Sequence, residues 1–456
     1  MKCGGTAGPL PPARPGRPVE RGVQPMERIM TSELAEHAGE QVRLAGWVHH
    51  QRHLAQVSFL LLRDANGVAQ IVIADESTRA STAALIAETV VEIEGTVVAS
   101  ARAPAGYEVH DPAITVLSAV KDLPPFELRR PVLNAQLPYL LDHAAVALRH
   151  PGIRAAFAIS AASLAGFRAT LDAMRFTEIQ TPKIVGAATE SGANVFELDY
   201  FGRRAYLAQS PQLYKQIMVG VFERVYETGP VFRAEPHNTA RHLAEYVSLD
   251  AELGFIRDHR DVEVMLRSVL AGMVAAIEAR AAEAVGLLGV ELPRVPAEIP
   301  RIHFHDAQVM LETATGERVV GEPDLAPAHE RWLGEWALAE HGSDFLFVEG
   351  YPMAKRPFYT HPEPARPEFS NSFDLLFRGI ELVTGGQRLH CYDDYLAALD
   401  APARVALGGY LEAFRHGMPP HGGFAIGLER WTAQVVGVPN VRQVTLFPRD
   451  INRLTP

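Results

Sequence analysis

Cysteine is almost absent from this chain of 456 residues, which contains only Cys3 and Cys391. Because Cys3 lies in a stretch without an apolar pattern, the sequence disfavours both a disulfide framework and a cysteine-based zinc site. The chain also lacks an apolar run near the ~20 residues that a bilayer-spanning helix needs. Its first residues lack the apolar core of a secretory signal. These absences predict a cytoplasmic protein without a membrane partner.

Positive charge is the second scarcity, since 43 Lys and Arg residues stand against 54 Asp and Glu residues and give a net charge of −11. This total does not indicate a nucleic-acid partner, so phosphate binding would need a local basic surface. Lysine is the rarer cation, so a lysine inside a motif is slightly less expected to be surface filler, although a helix-surface residue is the alternative for Lys215. The lysines are Lys2, Lys121, Lys183, Lys215 and Lys355.

The hydrophobic pattern divides the chain into four segments. Residues 1–28 are rich in Pro, Gly and Arg and predict a disordered tail. Residues 29–122 show five short strand patterns, with one helical piece at Thr82–Ala87 between the third and the fourth. This is the plan of an OB-fold, whose open face often binds single-stranded nucleic acid, although another small β-barrel would share the pattern. Residues 123–150 read as a proline-containing linker, and residues 151–456 alternate strands with helices.

The last segment has neither a GxGxxG fingerprint nor a Walker loop after a strand, so a Rossmann site and a P-loop are not indicated. A long helix is predicted at Ile153–Met174, where apolar residues return near every 3.6 positions. A strand at Phe176–Pro182 follows and is stopped by its proline. An alanine-rich amphipathic helix is predicted over residues 258–288.

The stretch Tyr226–Glu252 predicts a hairpin with a long polar loop, because two apolar strand patterns flank a segment with turn-forming residues. Arginines and a histidine on one loop suit a polyphosphate, since arginine offers a planar fork of donors to phosphate oxygens. A solvated charged loop is the alternative on this spacing alone. The loop and its flanks carry Arg233, Glu235, Arg241, His242 and Glu245 within 13 residues.

Three segments, in this order, resemble the signature motifs of class II aminoacyl-tRNA synthetases. Phe176–Pro182, after a long helix, is similar to motif 1, the dimer-interface strand that ends in proline. Phe232–Glu235 (FRAE) with its following loop is similar to motif 2, and Gly427–Arg430 (GLER) to motif 3. Each motif alone is weakly specific, but the ordered set behind an OB-fold is strongly specific. The N-terminal position of the OB-fold resembles the aspartyl, asparaginyl and lysyl enzymes.

Finer details resemble the aspartyl enzymes of the shorter, archaeal type. Gln209–Gln216 (QSPQLYKQ) is similar to an aspartyl-type segment, and Ala188–Asn194 to the mobile loop over the amino acid. Asp250 closes motif 2, and the large insertion typical of bacterial enzymes is missing. The resemblance covers roughly residues 30–456. It implies an α+β protein with an OB-fold anticodon-binding domain and a catalytic antiparallel sheet flanked by helices.

The resemblance implies ATP-dependent attachment of L-aspartate to tRNA-Asp through an aspartyl-adenylate. Arg233, at the α-phosphate, and Arg430, at the γ-phosphate, are the implied catalytic residues, and catalysis would be positioning plus charge stabilisation. Glu235 would accept a hydrogen bond from the adenine amino group, and Tyr246 would stack on adenine. The implied ATP-binding residues are Arg233, Glu235, Arg241, His242, Leu243, Tyr246, Glu381, Gly427 and Arg430.

The resemblance also implies a Mg²⁺ site and an aspartate site. Glu381, Thr384 and Asp374 are the implied Mg²⁺ ligands, although the family more often has serine at position 384 and a plain strand charge pair is the alternative for the two carboxylates. Lys215 and Arg388 would bind the side-chain carboxylate, because both are cationic donors. The implied aspartate-binding residues are Glu190, Gln212, Lys215, Arg233, Asp250, Thr384 and Arg388.

In the OB-fold, the residues placed for anticodon recognition are His49, Arg52, Phe59, Gln70 and Pro104. His49 and Pro104 resemble markers of archaeal-type enzymes with relaxed tRNA specificity. This resemblance implies a second substrate, tRNA-Asn, and an amidotransferase that uses Asp-tRNA-Asn. A homodimer through Phe176–Pro182 is implied by motif 1.

Three alternatives remain open from the sequence. An asparaginyl enzyme is disfavoured by Lys215 and Asp250. A paralogue similar to asparagine synthetase would share the catalytic core but usually lacks the anticodon barrel. A non-enzymatic RNA-binding paralogue should have lost Arg233, Arg430 or Glu381, and all three are present.

Overall fold

A computed structural model describes residues 26–186, 194–236 and 238–455 of the chain. The chain forms two compact units, Met1–Arg129 and Arg130–Pro456. The predicted linker therefore spans the boundary between the units. Among the described residues, no helix combines the length and the apolar composition needed to cross a bilayer.

The first unit contains a closed five-stranded barrel, in the order β1-β2-β3-β5-β4, which confirms the predicted OB-fold. Alternate residues of the first four strands along the chain are buried, as expected for a small barrel, and Val109 is the buried residue of the fifth. The barrel elements are β1 (Gln41–His53), β2 (Ser58–Arg63), β3 (Val68–Ile73), α1 (Glu76–Thr82), β4 (Val90–Ala99) and β5 (Tyr107–Ser118).

Helix α1 begins at Glu76, six residues before the predicted start at Thr82. The carboxylate of Asp75 accepts a hydrogen bond from the backbone N–H of Thr78 and so caps the first turn. An aspartate cap satisfies an amide that the helix itself cannot pair. The cap therefore fixes the start of α1 within a polar stretch that has no apolar period.

The second unit contains an eight-stranded sheet, in the order β12-β13-β14-β15-β16-β11-β10-β6, and a small sheet, in the order β7-β9-β8. Its strands are β6 (Thr177–Glu178), β7 (Ile184–Val185), β8 (Glu197–Tyr200), β9 (Arg203–Leu207), β10 (Arg224–Phe232), β11 (Glu245–Gly254), β12 (Arg301–His303), β13 (Phe345–Glu349), β14 (Ser372–Phe377), β15 (Ile380–Gln387) and β16 (His421–Gly427).

The helices of the second unit surround this large sheet. They are α2 (Leu137–Asp142), α3 (Ala144–Ala147), α4 (Pro151–Ala173), α5 (Gln212–Phe222), α6 (His259–Arg280), α7 (Ala282–Leu288), α8 (Phe304–Thr315), α9 (Pro327–His341), α10 (Tyr392–Ala398), α11 (Ala401–Ala406), α12 (Gly408–Arg415) and α13 (Leu428–Val436).

The central strands of the large sheet pair antiparallel, as predicted, whereas the edge pairs β12–β13 and β10–β6 are parallel. The predicted strand Phe176–Pro182 is reduced to β6, because only Thr177 and Glu178 pair with β10. The predicted helix over residues 258–288 is two helices, which meet at Ala281, where the backbone leaves the helical region (φ −132°, ψ 23°).

One face of the large sheet packs against α4, α6 and α13. Phe373, Phe424 and Leu249 from neighbouring strands meet Phe167 of α4 and Trp431 of α13 in a single buried cluster. Since successive residues of a strand point to opposite faces, the other face carries the alternate positions of the same strands. Those positions hold the polar residues of the candidate site.

Candidate active site

A line of residues crosses the polar face of the large sheet from strand to strand. Asp374 of β14 lies opposite Thr384 of β15, which lies opposite Ala425 of β16. Ala425 lies opposite Asp250 of β11, which lies opposite Glu227 of β10. Directly opposed residues share a face of the sheet. The sheet therefore brings predicted metal-binding and aspartate-binding positions, far apart in sequence, onto one surface.

A β-bulge in β15 aims Glu381 at the same surface. Leu375 pairs with Val383 and the next residue, Leu376, pairs with Glu381, so that Leu382 is the extra residue. In a regular strand, residues 381 and 384 would face opposite sides. Here the Thr384 hydroxyl donates a hydrogen bond to Glu381 Oε1 at 3.0 Å.

A cavity of about 370 Å³ opens on this surface between the β10–β11 loop, β15 and the start of α13. This volume lies within the usual range of small-ligand sites. All nine residues predicted to bind ATP line the cavity, together with Thr384. They are Arg233, Glu235, Arg241, His242, Leu243, Tyr246, Glu381, Gly427 and Arg430.

The hairpin predicted at Tyr226–Glu252 is confirmed as β10 and β11, and a distant part of the chain holds its loop. The backbone N–H of Arg233 donates to Ala244 O at 2.9 Å across the base of the loop. The N–H of Ala244 in turn donates to Arg449 O at 2.8 Å, and the N–H of Val441 donates to Ala240 O at 3.0 Å. Residues 441–449 therefore fix the loop that carries the cavity's arginines.

Opposite charges alternate around the cavity. Arg430 Nη1 donates to Glu381 O at 2.8 Å and lies 3.9 Å from Glu381 Oε2, and Arg241 Nη1 lies 3.3 Å from Glu330 Oε2. Partial burial opposes ionisation of Glu381, but Arg430 and the Thr384 hydroxyl hold its pKa below the usual value. The Glu381 carboxylate is thus charged at neutral pH and faces a cavity rich in arginine.

A buried group of charges lies beside the cavity, on the same face of the sheet. Lys215 Nζ is 3.0 Å from Asp250 Oδ1 and 3.3 Å from Glu252 Oε2, and Arg388 Nε donates to Glu252 Oε1 at 2.9 Å. Burial opposes ionisation of Glu252, but Arg388 and then Lys215 hold its pKa below the usual value. The group joins the cavity through Ser248, whose hydroxyl donates to Asp250 Oδ2 at 2.5 Å.

Helix α5 supplies Lys215 from its buried face. Gln212, Lys215, Gln216 and Val219 are buried at positions that recur every three or four residues, the spacing of one helix face. The amide of Gln212 donates to Gln216 Oε1 at 3.1 Å. Lys215 is therefore directed at the sheet rather than at solvent, which contradicts the alternative of a surface lysine.

Asp374, a predicted metal ligand, is not among the residues that line the cavity. Asp374 Oδ1 accepts a hydrogen bond from Arg356 Nη2 at 2.9 Å, and burial raises the pKa of Asp374 to about 6 despite this guanidinium. Glu190 lies outside the described residues. The first carboxylate is thus engaged by an arginine that the sequence did not single out.

Glu252 and Glu330 are site residues that the sequence interpretation missed. Glu252 follows Asp250 by two positions on one strand, so strand alternation could have placed it on the same face. Glu330 lies on α9, far from Arg241 in the sequence, and only the tertiary fold brings the two residues together. Arg356, the partner of Asp374, likewise has no local signal.

The barrel places Arg52, Phe59 and Gln70, three of the predicted anticodon residues, outside its inner cluster. The Arg52 guanidinium lies 5.1 Å from the centre of the Phe59 ring, and the two residues are directly opposed on β1 and β2. Phe59 is half-buried and stands outside the inner cluster of the barrel. Gln70 on β3 donates to Glu108 Oε2 at 2.8 Å.

His49 is the extra residue of a bulge in β1. Val48 pairs with Leu62 and His50 pairs with the adjacent Leu61, so His49 has no opposite residue on β2. Its Nδ1 lies 3.4 Å from Arg63 Nη1. Pro104 begins a short 3-10 turn, Pro104–Gly106, and its side chain lies outside the described part of the structure.

Two families match the chain, and together they account for both units. Residues 137–451 match tRNA synthetases class II (D, K and N), and residues 42–117 match the OB-fold nucleic acid binding domain. The chain belongs to the class II tRNA synthetases. This match confirms the family that the sequence motifs predict. Enzymes of this family use ATP and act on tRNA.

The synthetase is similar to curated proteins along nearly its whole length. It is 47% identical over 440 residues to the aspartate–tRNA(Asp/Asn) ligase of Deinococcus radiodurans, covering 95% of this chain and 99% of that protein. It is 46% identical over 431 residues to the protein of the same name from Thermus thermophilus, covering 94% and 100%.

Solved structures share the synthetase fold. The asparaginyl-tRNA synthetase from Pyrococcus horikoshii, complexed with asparaginyl-adenylate, superposes with a TM-score of 0.87 at 32% identity and covers 94% of this chain and 100% of that one. The aspartyl-tRNA synthetase from Entamoeba histolytica has a TM-score of 0.83 at 30% identity, covering 94% and 93%. The roles of individual residues stay predictions.

Proposed function

We propose that this synthetase activates L-aspartate with ATP and transfers it to tRNA-Asp. The observation that carries the proposal is the pair of buried cations, Lys215 and Arg388, beside the cavity. Lysine and arginine are donors only, and therefore suit the side-chain carboxylate of aspartate better than an amide, which also needs an acceptor. The names of the similar curated proteins support the same substrate.

The chemistry assigned to the cavity needs no protein base in its first step. The substrate α-carboxylate is already ionised and attacks the α-phosphorus, and pyrophosphate leaves. Arg233 holds the α-phosphate and the substrate carboxylate, and Arg430 holds the γ-phosphate. Arginine forks match phosphate oxygens, and donors aimed at the developing charge lower the barrier. The 3′-terminal ribose hydroxyl of tRNA then loses its proton and attacks the aspartyl carbonyl, so that the aspartyl group passes to tRNA and AMP leaves.

A Mg²⁺ ion accompanies ATP in this proposal, and the donor set fits it in part. Glu381 and Thr384 offer a carboxylate and a hydroxyl oxygen, the hard ligands that Mg²⁺ prefers, and the Glu381 side chain is 39% exposed. Asp374 fits less well, because Arg356 occupies one of its oxygens. The ion would offset the charge of the phosphates, while Glu381 and Thr384 would hold it.

An ATP–pyrophosphate exchange assay tests the choice of amino acid. Aspartate should support exchange, and asparagine should be poorer by up to about 10⁴-fold, the discrimination that polar sites reach. The second candidate is asparagine, which the similarity to an asparaginyl-tRNA synthetase favours. Exchange that is faster with asparagine than with aspartate would establish that alternative.

We also propose that tRNA-Asn is a second substrate and that an amidotransferase consumes Asp-tRNA-Asn. His49 in the β1 bulge and the names of the similar proteins support this. Charging of tRNA-Asp and tRNA-Asn transcripts by the purified protein tests it. Rates within about tenfold of each other are expected, and a difference of thousands would contradict relaxed specificity.

The remaining parts of the proposal concern the oligomeric state and the cellular location. A homodimer through Phe176–Pro182 is proposed from motif 1, and a cytoplasmic location from the synthetase family. Sedimentation analysis tests the dimer, since a monomer at micromolar concentration would contradict it.

A further inference from the structure

A buried cluster of one histidine and two glutamates lies on the helix-covered face of the large sheet. Glu349, at the end of β13, is directly opposed to Phe373, a residue of the core beneath the sheet. His259 and Glu263 come from the first turns of α6, where positions four apart share a face. The cluster is therefore on the opposite face of the sheet from the nucleotide cavity.

The three side chains have the spacing of metal ligands. One nitrogen of His259 and one oxygen each of Glu263 and Glu349 all lie within 4.8 Å of one another. The residues are 6%, 1% and 6% exposed, respectively. Within the described part of the chain, both ring nitrogens of His259 and both carboxylate oxygens of Glu263 lack a hydrogen-bond partner, and His259 Nε2 lies 3.7 Å from Glu349 Oε2, beyond hydrogen-bond distance. Buried polar atoms without partners are costly and rare in native proteins.

Two arginines approach the cluster from its solvent side. Arg260 Nη2 lies 3.1 Å from Glu349 Oε2. Arg301 Nη2 lies 3.6 Å from Glu263 Oε2, and Arg301 Nε lies 3.5 Å from Glu349 Oε1. Their side chains are 55% and 46% exposed, so both can turn into solvent when a cation enters. The arginines offset charge at the rim, and Arg260 donates hydrogen bonds to Glu349, but they leave the His259 imidazole and the Glu263 carboxylate without hydrogen bonds.

We propose that His259, Glu263 and Glu349 bind a divalent transition-metal cation, with Zn²⁺ as the representative ion. An imidazole nitrogen with two carboxylate oxygens is a ligand set that Zn²⁺ accepts, with water in a fourth position. Mg²⁺ suits the set less, because it demands oxygen ligands and gives up its water reluctantly. The ion would link the first turn of α6 to the end of β13 and is a structural element rather than part of the reaction.

Full-length protein stripped with a chelator and titrated with Zn²⁺ tests the site. Calorimetry and metal analysis should find one ion per chain, and the midpoint of thermal unfolding should rise on Zn²⁺ addition. Glu263→Gln and His259→Gln should each weaken binding by at least about 100-fold, more than the loss of an outer-shell partner costs. Glu278→Gln, an exposed glutamate on the same helix, should bind as wild type does.

A further variant separates this site from the proposed Mg²⁺ site. Glu381→Gln should retain the tightly bound Zn²⁺, whereas loss of Zn²⁺ in this variant together with retention in Glu263→Gln would place the ion in the nucleotide cavity and overturn the proposal. Absence of stoichiometric Zn²⁺ binding by folded wild-type protein would also overturn it. Circular dichroism of each metal-free variant verifies that it is folded before the titration.

Discussion

At the scale of single residues, Lys215 is predicted to select aspartate over other substrates. Lys215→Met keeps the length of the side chain but leaves Asp250 facing Glu252 without the ammonium between them. Breaking a buried ion pair costs about 3–5 kcal/mol. We expect kcat/KM for aspartate in pyrophosphate exchange to fall by at least about 10²-fold, as for other lost polar contacts in dry sites, with no gain for asparagine.

Lys355→Met is the matched control for this substitution. Lys355 is 46% exposed and lies 3.9 Å from Asp324, a surface pair worth little. Aspartate activation should be unchanged in this control. If Lys215→Met retained activation within a few-fold of wild type, the assignment of the aspartate site would be wrong.

Arg233 is predicted to act on ATP and not on tRNA. Arg233→Ala should lower adenylate formation by about 10²–10³-fold, the effect of deleting one donor in a preorganised site, and leave tRNA affinity within a few-fold of wild type. Single-turnover adenylate formation and filter binding of tRNA measure the two quantities. Arg280→Ala, at the exposed end of α6, should alter neither.

Glu429 gives the fold a pH dependence of defined sign. Its carboxylate accepts hydrogen bonds from the backbone N–H of Val247 at 3.1 Å, but burial raises the pKa of Glu429 to about 7. The folded protein therefore binds a proton that the unfolded chain releases near pH 4.3. This group lowers stability progressively as pH rises between these values, by about 4 kcal/mol in all.

Glu429→Gln should remove this contribution while keeping an acceptor for Val247. The gain in melting temperature of the variant over wild type should be larger at pH 7 than at pH 5. A gain that is equal at the two pH values would contradict the shifted pKa of Glu429.

At the scale of elements, short polar segments were harder to predict than apolar ones. The five barrel strands and the hairpin of β10 and β11 agree with the prediction, because apolar alternation and clear turn residues define them. The break between α6 and α7 could not be predicted, since alanine at position 281 is the strongest helix former. The bulge at Leu382 also has no local signal, yet it directs Glu381 into the cavity.

Strand β16 requires a glycine at position 423, where it pairs with β11. A Cβ on Gly423 would collide with the Ala251 carbonyl and the Glu252 carboxylate. Gly423→Ala should therefore destabilise the protein by about 1–3 kcal/mol, the usual cost of overpacking. Gly427→Ala on the same strand meets its nearest atom, Arg430 Cβ, at 3.7 Å, and its stability should change less. Thermal unfolding of both variants measures the difference, and equal losses would contradict the collision.

At the scale of the whole molecule, the two units should divide the reaction between them. Phe59→Ala should weaken tRNA charging by about 1–3 kcal/mol, the contribution of one base stacked on an aromatic ring, and leave pyrophosphate exchange unchanged. Leu117→Ala, at an exposed apolar residue of β5, is the control for both assays. Equal loss of exchange and charging in Phe59→Ala would indicate a folding defect instead of a lost anticodon contact.

The family could be predicted from the sequence because its motifs are short and local, whereas the charge balance of the site could not. The partners Lys215–Glu252 and Arg241–Glu330 are joined only by the tertiary fold. Arg356, which engages Asp374, likewise lies 18 residues away on a segment without a recognisable pattern. Such pairings depend on sheet order and helix packing, which a linear pattern does not encode.

The contact between residues 441–449 and the β10–β11 loop has a consequence for biosynthesis. Arg442 Nη1 donates to Thr239 O at 2.9 Å, although the two residues are 203 positions apart. At about 5–20 residues per second, a ribosome makes the loop roughly 10–40 s before it makes the segment that holds it. The hairpin can form early, but the β10–β11 loop of a nascent chain is not held in place until residues 441–449 have emerged.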